Sequence, residues 1–556
     1  MHSLLWPGGR PPAQALARLG DEALRDLEAD RLADALAQDR PDRRGAVVDL
    51  LSHLPLDPAT VAWRAGTSAD LLASAPLCAR LEGVLRSLRL LAAHRPHAFP
   101  RDVPHAARIG ARVVELAAYV DAVDLLRAAL AGEEVRSPAL AVLRADAERE
   151  GAAPEFVALA SELPRWRRTL DEVRSVNVAI NVSGAMEPES AAIVGFSASP
   201  VDAGETALAR LLGDGVGSRG LARLFRRQPV DWQGDGRFVA EVQALLETVA
   251  APVERALTGF RGVHAQALQP LEDELVLLLG GARLGRRWRA LGLPCCIAGP
   301  GAETRIEGAF HPILAAALAR PEELVPNDCA FGAEGRVWVL TGPNRGGKTT
   351  YLRAAAAVQI LGQCGLPVPA RRARLCPVDA VHTHFPAPEA AIAGQGRLDE
   401  EAARVARIFD ACTPRSLVLL NEVLAGTSAP EGVALAADIL RGFRALGCAV
   451  IYATHLHELA LRCADINASL PGPARVASLT AEAAPDGPAG QALRRPTYRI
   501  VPGLPGGASF FASQIARQHG ISLEQLLQRL RERGARPEGP APSAQGAPGG
   551  PASPGP

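Results

Sequence analysis

The chain has 556 residues, zero formal net charge and 48% hydrophobic residues. That is enough for two or three domains with a sizeable buried core, and it lacks the overall basic excess of a protein coated for nucleic acid. No apolar run approaches the roughly 18 residues of a membrane span, and the start, MHSLLWPGGRPPAQ, lacks a charged stretch leading into an apolar one, so a soluble, cytoplasmic protein is expected. Nine cysteines without a CxxC pair, two of them adjacent at Cys295 and Cys296, argue against a zinc knuckle or a disulfide framework.

Residues 14–150 read as helical, with Leu, Ala and Val at three- and four-residue spacing in 21–37, 77–93 and 106–131. Pro55, Pro58, Pro76, Pro96 and Pro104 fall between these runs as breakers. SVNVAINVSG, near 173–182, alternates like a strand. Residues 197–237 are rich in Gly, Pro and Asp and hold a short basic helix candidate at 221–227. A long helical pattern returns over 238–279, broken at Pro252 and Pro270. From Arg305 onward strands and helices alternate: strand 336–340, helix 348–363, helix 398–411, strand 416–420, helix 431–446 and strand 449–453. This pattern predicts an α/β domain with a mostly parallel sheet. The predicted organisation is a helical domain over 1–300 with a short irregular insert near 197–237, an α/β domain over 301–535, and a low-complexity tail over 536–556 that buries no core.

The segment TGPNRGGKTT matches GxxxxGK[ST], with Gly342 and Gly347 as its fixed glycines, and it lies between a predicted strand and a predicted helix. In such a loop the glycines let backbone N–H groups and a helix N-terminus converge on phosphate oxygens. Gly342, Pro343, Asn344, Gly346, Gly347, Lys348, Thr349 and Thr350 are therefore the candidate ATP-binding residues. Lys348 would reach the β- and γ-phosphates, and Thr349 would offer its hydroxyl to Mg²⁺. Lys348 is also the one lysine in the sequence. In a chain that uses arginine for every other basic side chain, a lysine kept here fits a position that needs a compact ammonium.

About 75 residues on, the strand 416–420 ends in Asn421-Glu422, where a P-loop NTPase usually carries Asp then Glu. Glu422 is the candidate base for the attacking water. Asn421 keeps an oxygen for a metal-bound water but no charge, so weaker Mg²⁺ holding is expected. A further strand ends in Thr454-His455. The place of His455 directly after that strand favours a γ-phosphate contact over a purely structural role.

These segments resemble the MutS family of DNA mismatch repair: TGPNRGGKTTYLR, TPRSLVLLNEVLAGTS with its Gly426-Thr427-Ser428 turn, and YATHLHEL. His311-Pro312 and the VPND run at 325–328 are similar to the family's lead-in to its nucleotide site, and 502–521 to its C-terminal segment. Over 1–300 the likeness is weaker, with AWRAGTSADLLAS similar to a motif of the family's core and lever helices. The resemblance implies an ABC-type P-loop ATPase domain preceded by an all-α core and lever domain. It also implies ATP and Mg²⁺ as cofactors, a homodimer, and mismatched or branched double-stranded DNA as partner.

Three departures qualify it. None of the 13 Phe residues stands in Phe-x-Glu, so mismatch reading by that wedge is not expected, and the insert between the lever halves is short for a DNA clamp. The family's Ser-Thr-Phe signature falls on Gly396, Arg397 and Leu398. Arg397 is either a phosphate-directed cation in place of the lost hydroxyl or a solvated surface residue. The basic cluster Arg219, Arg223, Arg226 and Arg227 is likewise either a phosphate-contacting face or a solvated one. The leading functional expectation is a DNA-acting ATPase whose nucleotide cycle opens and closes a dimeric clamp. The alternative is a nucleotide-gated scaffold with little or no hydrolysis. A transporter-type ATPase is disfavoured because no LSGGQ-like signature precedes the acidic strand.

Overall fold

A computed structural model describes residues 1–38, 40–94, 104–132, 135–184, 188–199, 236–318, 320–386, 397–424, 428–486, 493–504 and 523–532. The basic cluster at 219–227, Gly396, Gly426, Thr427, most of 502–521 and the tail from 536 lie outside these residues, as does the side chain of Arg397. The chain divides into two compact units. One comprises 1–332, 353–383 and 415–417; the other comprises 333–352, 384–414 and 418–556. Among the described residues no helix is long and apolar enough to cross a membrane.

The first unit is built on long helices that start where the sequence provides a cap. Asp57 accepts the N–H groups of Ala59 and Thr60 at the head of Pro58–Ala73, Ser74 accepts that of Leu77 at the head of Ala75–Ala93, and Ser137 that of Leu140 at the head of Pro138–Gly151. Proline sits in the first turn of each, where its missing N–H costs nothing. The helix Pro270–Ala290 packs against Pro58–Ala73, Ala75–Ala93 and Ala29–Leu36. Its Gly280 allows the closest approach, since a Cβ there would stand 2.1 Å from the carbonyl oxygen of Leu36.

Two expectations need correction here. Pro252 does not break its helix: Gly236–Leu257 runs through it. One lost backbone hydrogen bond is outweighed by packing on His105–Leu130. The region before 300 is also not all-α. Leu16–Leu19 pairs antiparallel with His53–Pro55 and parallel with Ala380–His384, Ser175–Val182 pairs with Pro188–Ser197, and Cys296–Ile297 pairs with Pro367–Val368. Ser175–Val182 is the strand read at SVNVAINVSG, and Pro188–Ser197 is its partner; the remaining strands, of two to four residues, carry too little alternation to register against a helical background, and two of them find partners far along the chain.

The second unit holds a sheet whose strands in this unit are β1 (Val337–Thr341), β2 (Leu417–Asn421), β3 (Ala449–Ala453), β4 (Val476–Asp486) and β5 (Leu493–Pro502), in the spatial order β5-β4-β1-β3-β2. β1 pairs parallel with both β3 and β4, and β5 runs antiparallel to β4. Every residue of β1, β2 and β3 is buried, as expected of parallel strands covered on both faces. Three of its helices are α1 (Lys348–Gln363, whose first turn through Leu352 belongs to this unit), α2 (Arg397–Ala411) and α3 (Ala429–Leu446). Val405 and Ile408 of α2 and Leu440 and Phe443 of α3 join Val337, Val339, Val418, Leu420, Val450 and Tyr452 in one core. That core fixes the strand ends from which the candidate site projects.

Candidate nucleotide site

The loop 342–347 leaves the end of β1 and enters α1 at Lys348. It turns through positive φ at Gly342 (148°), Arg345 (64°) and Gly347 (90°), so the two glycines occupy conformations that a side chain rarely adopts. A Cβ on Gly342 would stand 2.6 Å from the Cβ of Ala481 on β4, and one on Gly346 2.9 Å from the carbonyl oxygen of Pro343. Side chains at Gly342 and Gly346 would thus collide with β4 and with the loop's own backbone, and a glycine loop between a strand and a helix is the pattern that suits an anion held by N–H groups. Asn344 and Arg345 are exposed on its rim, Pro343 and Thr350 are half-buried, and Gly346 donates its N–H to Pro343.

The Lys348 ammonium is 6% exposed. It donates to the carbonyl oxygens of Gly342 (2.9 Å) and Pro343 (3.3 Å) and lies 3.3 Å from Oε1 of Glu422. The second carboxylate oxygen of Glu422 lies 2.6 Å from Nδ1 of His455. One carboxylate therefore spans the lysine of the loop and the histidine that follows β3. Glu422 reaches this place with φ of 52°, immediately past β2, where its N–H donates to the carbonyl oxygen of Ala453 (2.8 Å). Thr454 donates to the carbonyl oxygen of Leu340 (2.9 Å). The ends of β1, β2 and β3 are tied together where the three side chains meet.

Thr349 Oγ1 donates to Oδ1 of Asn421 at 3.3 Å, so the two residues expected near a metal are also brought together. Both are neutral oxygen ligands. A hard cation held there would draw most of its shell from water or phosphate oxygens, as magnesium does. Among the described residues, no group of three or more His, Cys, Asp or Glu side chains is placed to hold a metal by itself.

The loop residues 342–350 and Asn421, Glu422 and His455 thus lie in one unit. Leu398, from the altered signature segment, is exposed on α2. Two further residues border the site. Burial, and after it the Lys348 charge, hold the His457 imidazole below its ordinary pKa, and its Nδ1 has no hydrogen-bond partner among the described residues. The second histidine of THLH was the available signal. Tyr498 on β5, at φ 59°, places its ring 3.4 Å from where a Gly347 Cβ would stand. It lies about 150 residues beyond the loop on an antiparallel strand, and no local pattern marks it.

Residues 338–472 match the family model described as MutS domain V. The DNA mismatch repair protein MutS of Granulibacter bethesdensis is 43% identical over 157 residues, 28% of this chain and 17% of that protein. The DNA mismatch repair protein MutS of Rhodopirellula baltica is 36% identical over 222 residues, 40% of this chain and 23% of that protein. The matched stretches thus cover less than a quarter of the length of either relative.

Proposed function

The chain belongs to the MutS family through its domain V, and on that premise we propose that it is a DNA-acting ATPase. In this reading residues 301–535 form the ATPase domain, residues 1–300 carry the core and lever helices, and two copies form a clamp whose opening and closing follow the nucleotide cycle. The observation that carries the reading is the single carboxylate of Glu422, set between Lys348 and His455 at the mouth of the glycine-walled loop.

In the proposed mechanism the loop N–H groups and Lys348 hold the β- and γ-phosphates of ATP, and Glu422 accepts a proton from the attacking water. His455 hydrogen-bonds the far side of that carboxylate and faces the γ-phosphate. Thr349 and Asn421 would hold magnesium through the threonine hydroxyl and a bound water, and the ion would neutralise charge on the phosphates. Positioning and charge stabilisation are the main catalytic terms.

The test uses purified full chain. ATP affinity and single-turnover phosphate release are measured for the parent and for Lys348→Ala and Glu422→Gln, and unchanged turnover in both variants would sink the assignment. For the DNA part, binding to plain, mismatched and branched duplexes is compared across a salt series with and without ATP, since phosphate contacts weaken steeply with salt. Equal binding to all three would remove the support for a mismatch-repair role.

A second reading, a nucleotide-gated scaffold with little hydrolysis, is favoured by one feature: the partner of Thr349 is an uncharged Asn421. Bound ATP that persists unhydrolysed for hours in the single-turnover assay would select it.

A further inference from the structure

The segment just past β2 is held in an unusual way. Glu422 and Leu424 both have positive φ, 52° and 63°, so two side-chain-bearing residues on either side of Val423 occupy the left-handed region within one short turn. Such backbone persists only where its surroundings over-determine it. Two contacts do so here. The N–H of Leu424 donates to Oε2 of Glu401 at 2.7 Å, and the carbonyl oxygen of Val423 accepts from the hydroxyl of Tyr452 at 3.0 Å.

Both holding groups are themselves fixed. Glu401 is 9% exposed and lies on α2, which Val405 and Ile408 anchor in the core. Its bond to Leu424 is charge-assisted and so among the stronger kinds of hydrogen bond. Tyr452 lies inside β3 and is fully buried, and burial pushes its hydroxyl above the ordinary range, so it stays a donor. The turn is clamped from α2 on one side and from β3 on the other, one to two residues past Glu422.

We infer that Glu401 and Tyr452 are positioning residues for Glu422: they fix the turn that aims its carboxylate between Lys348 and His455. This rests on the reading of Glu422 as the base for ATP hydrolysis.

The experiment measures single-turnover ATP hydrolysis, ATP affinity and melting temperature of the full chain for Glu401→Ala, Glu401→Gln, Tyr452→Phe and Glu422→Gln. Loss of the clamp misplaces the carboxylate by a fraction of an ångström to an ångström. Glu401→Ala is expected to slow hydrolysis on the order of tenfold to a hundredfold, with ATP affinity nearly unchanged. Glu401→Gln keeps an oxygen for the Leu424 N–H and is expected to recover most of the rate. Tyr452→Phe removes only the hydroxyl and is expected to slow hydrolysis by a smaller factor, again without loss of affinity.

Normal hydrolysis in Glu401→Ala alongside lost hydrolysis in Glu422→Gln would overturn the positioning role and leave the base reading standing. Retained hydrolysis in Glu422→Gln would overturn the base reading and the positioning role with it. Parallel losses of rate, affinity and melting temperature in Glu401→Ala would show a purely structural carboxylate. Should that variant fail to fold, Tyr452→Phe decides, and an unchanged rate there overturns the clamp.

Discussion

His455 holds one oxygen of the Glu422 carboxylate at 2.6 Å, which leaves the other oxygen facing the ammonium of Lys348 at 3.3 Å. The carboxylate and the loop lysine thus neutralise one another inside the glycine loop. In the proposed function a triphosphate entering the loop would compete with Glu422 for Lys348, and each prediction about the site follows from that competition or from the backbone that frames it.

Lys348→Ala removes the ammonium and leaves Glu422 with His455 alone. Truncating one member of a desolvated charge pair should weaken ATP binding on the order of a hundredfold. Lys348→Arg is not expected to restore it, because a planar guanidinium does not fit a position whose donor already meets two loop carbonyls. Titration calorimetry with ATP checks both. Near-parent affinity in Lys348→Ala would refute the role given to the lysine.

Glu422→Gln removes the negative charge beside Lys348 while keeping the shape of the side chain. ATP binding should be retained or tightened, and single-turnover hydrolysis should fall about 10²- to 10⁴-fold, the range for loss of a general base. A smaller rate loss than affinity change would assign Glu422 to binding instead.

Gly347→Ala forces a side chain into φ of 90°, and Gly342→Ala adds to φ of 148° a Cβ only 2.6 Å from that of Ala481. Each should cost about 1–3 kcal/mol of backbone strain. Local remodelling of the loop can relieve that strain, so ATP affinity should fall more than global stability. Parallel denaturation and binding curves separate the two. Unchanged ATP affinity in both variants would show that the loop's curvature is not what binds nucleotide.

His311 gives a pH signature distant in sequence from the loop. Its Nδ1 accepts the N–H of Leu314 at the head of Pro312–Ala317, which requires the neutral ring. Burial lowers its pKa from 6.5 to about 4. Between those values the unfolded chain binds the proton and the folded chain does not. Stability is therefore full at neutral pH and is lost as pH falls from about 6.5 toward about 4, by about 3 kcal/mol at 1.4 kcal/mol per unit. His311→Asn keeps a capping oxygen and should flatten this part of the profile in urea denaturation from pH 7 to 4. An identical slope in the variant would place the acid sensitivity elsewhere.

The parts of this protein legible in its sequence are those written in consecutive residues. β1, α1, β3 and the loop follow from an apolar run, a glycine pattern and a helical period, and α1 and β3 fall within the limits read from sequence. Glu422 and His455 were findable because each ends an apolar strand. Glu401 and Tyr452 were not, because their bonds to the Glu422 turn cross 23 and 29 residues and depend on two positive φ angles that no residue type announces. The strand Leu16–Leu19 was hidden for a similar reason, its parallel partner lying more than 350 residues away. Pro252 shows the opposite error, a local breaker signal overridden by packing.

A chain with one lysine carries a single ε-amine, and here that amine is lodged against the glycine loop. Amine-directed labels, apart from any at the α-amino group, and cleavage by a lysine-specific protease therefore all report on one bond or one atom. The protein contains its own footprinting probe. Its ammonium is 6% exposed and paired with Glu422, so reaction or cleavage at that one side chain reports on opening of the loop, with no engineered tag.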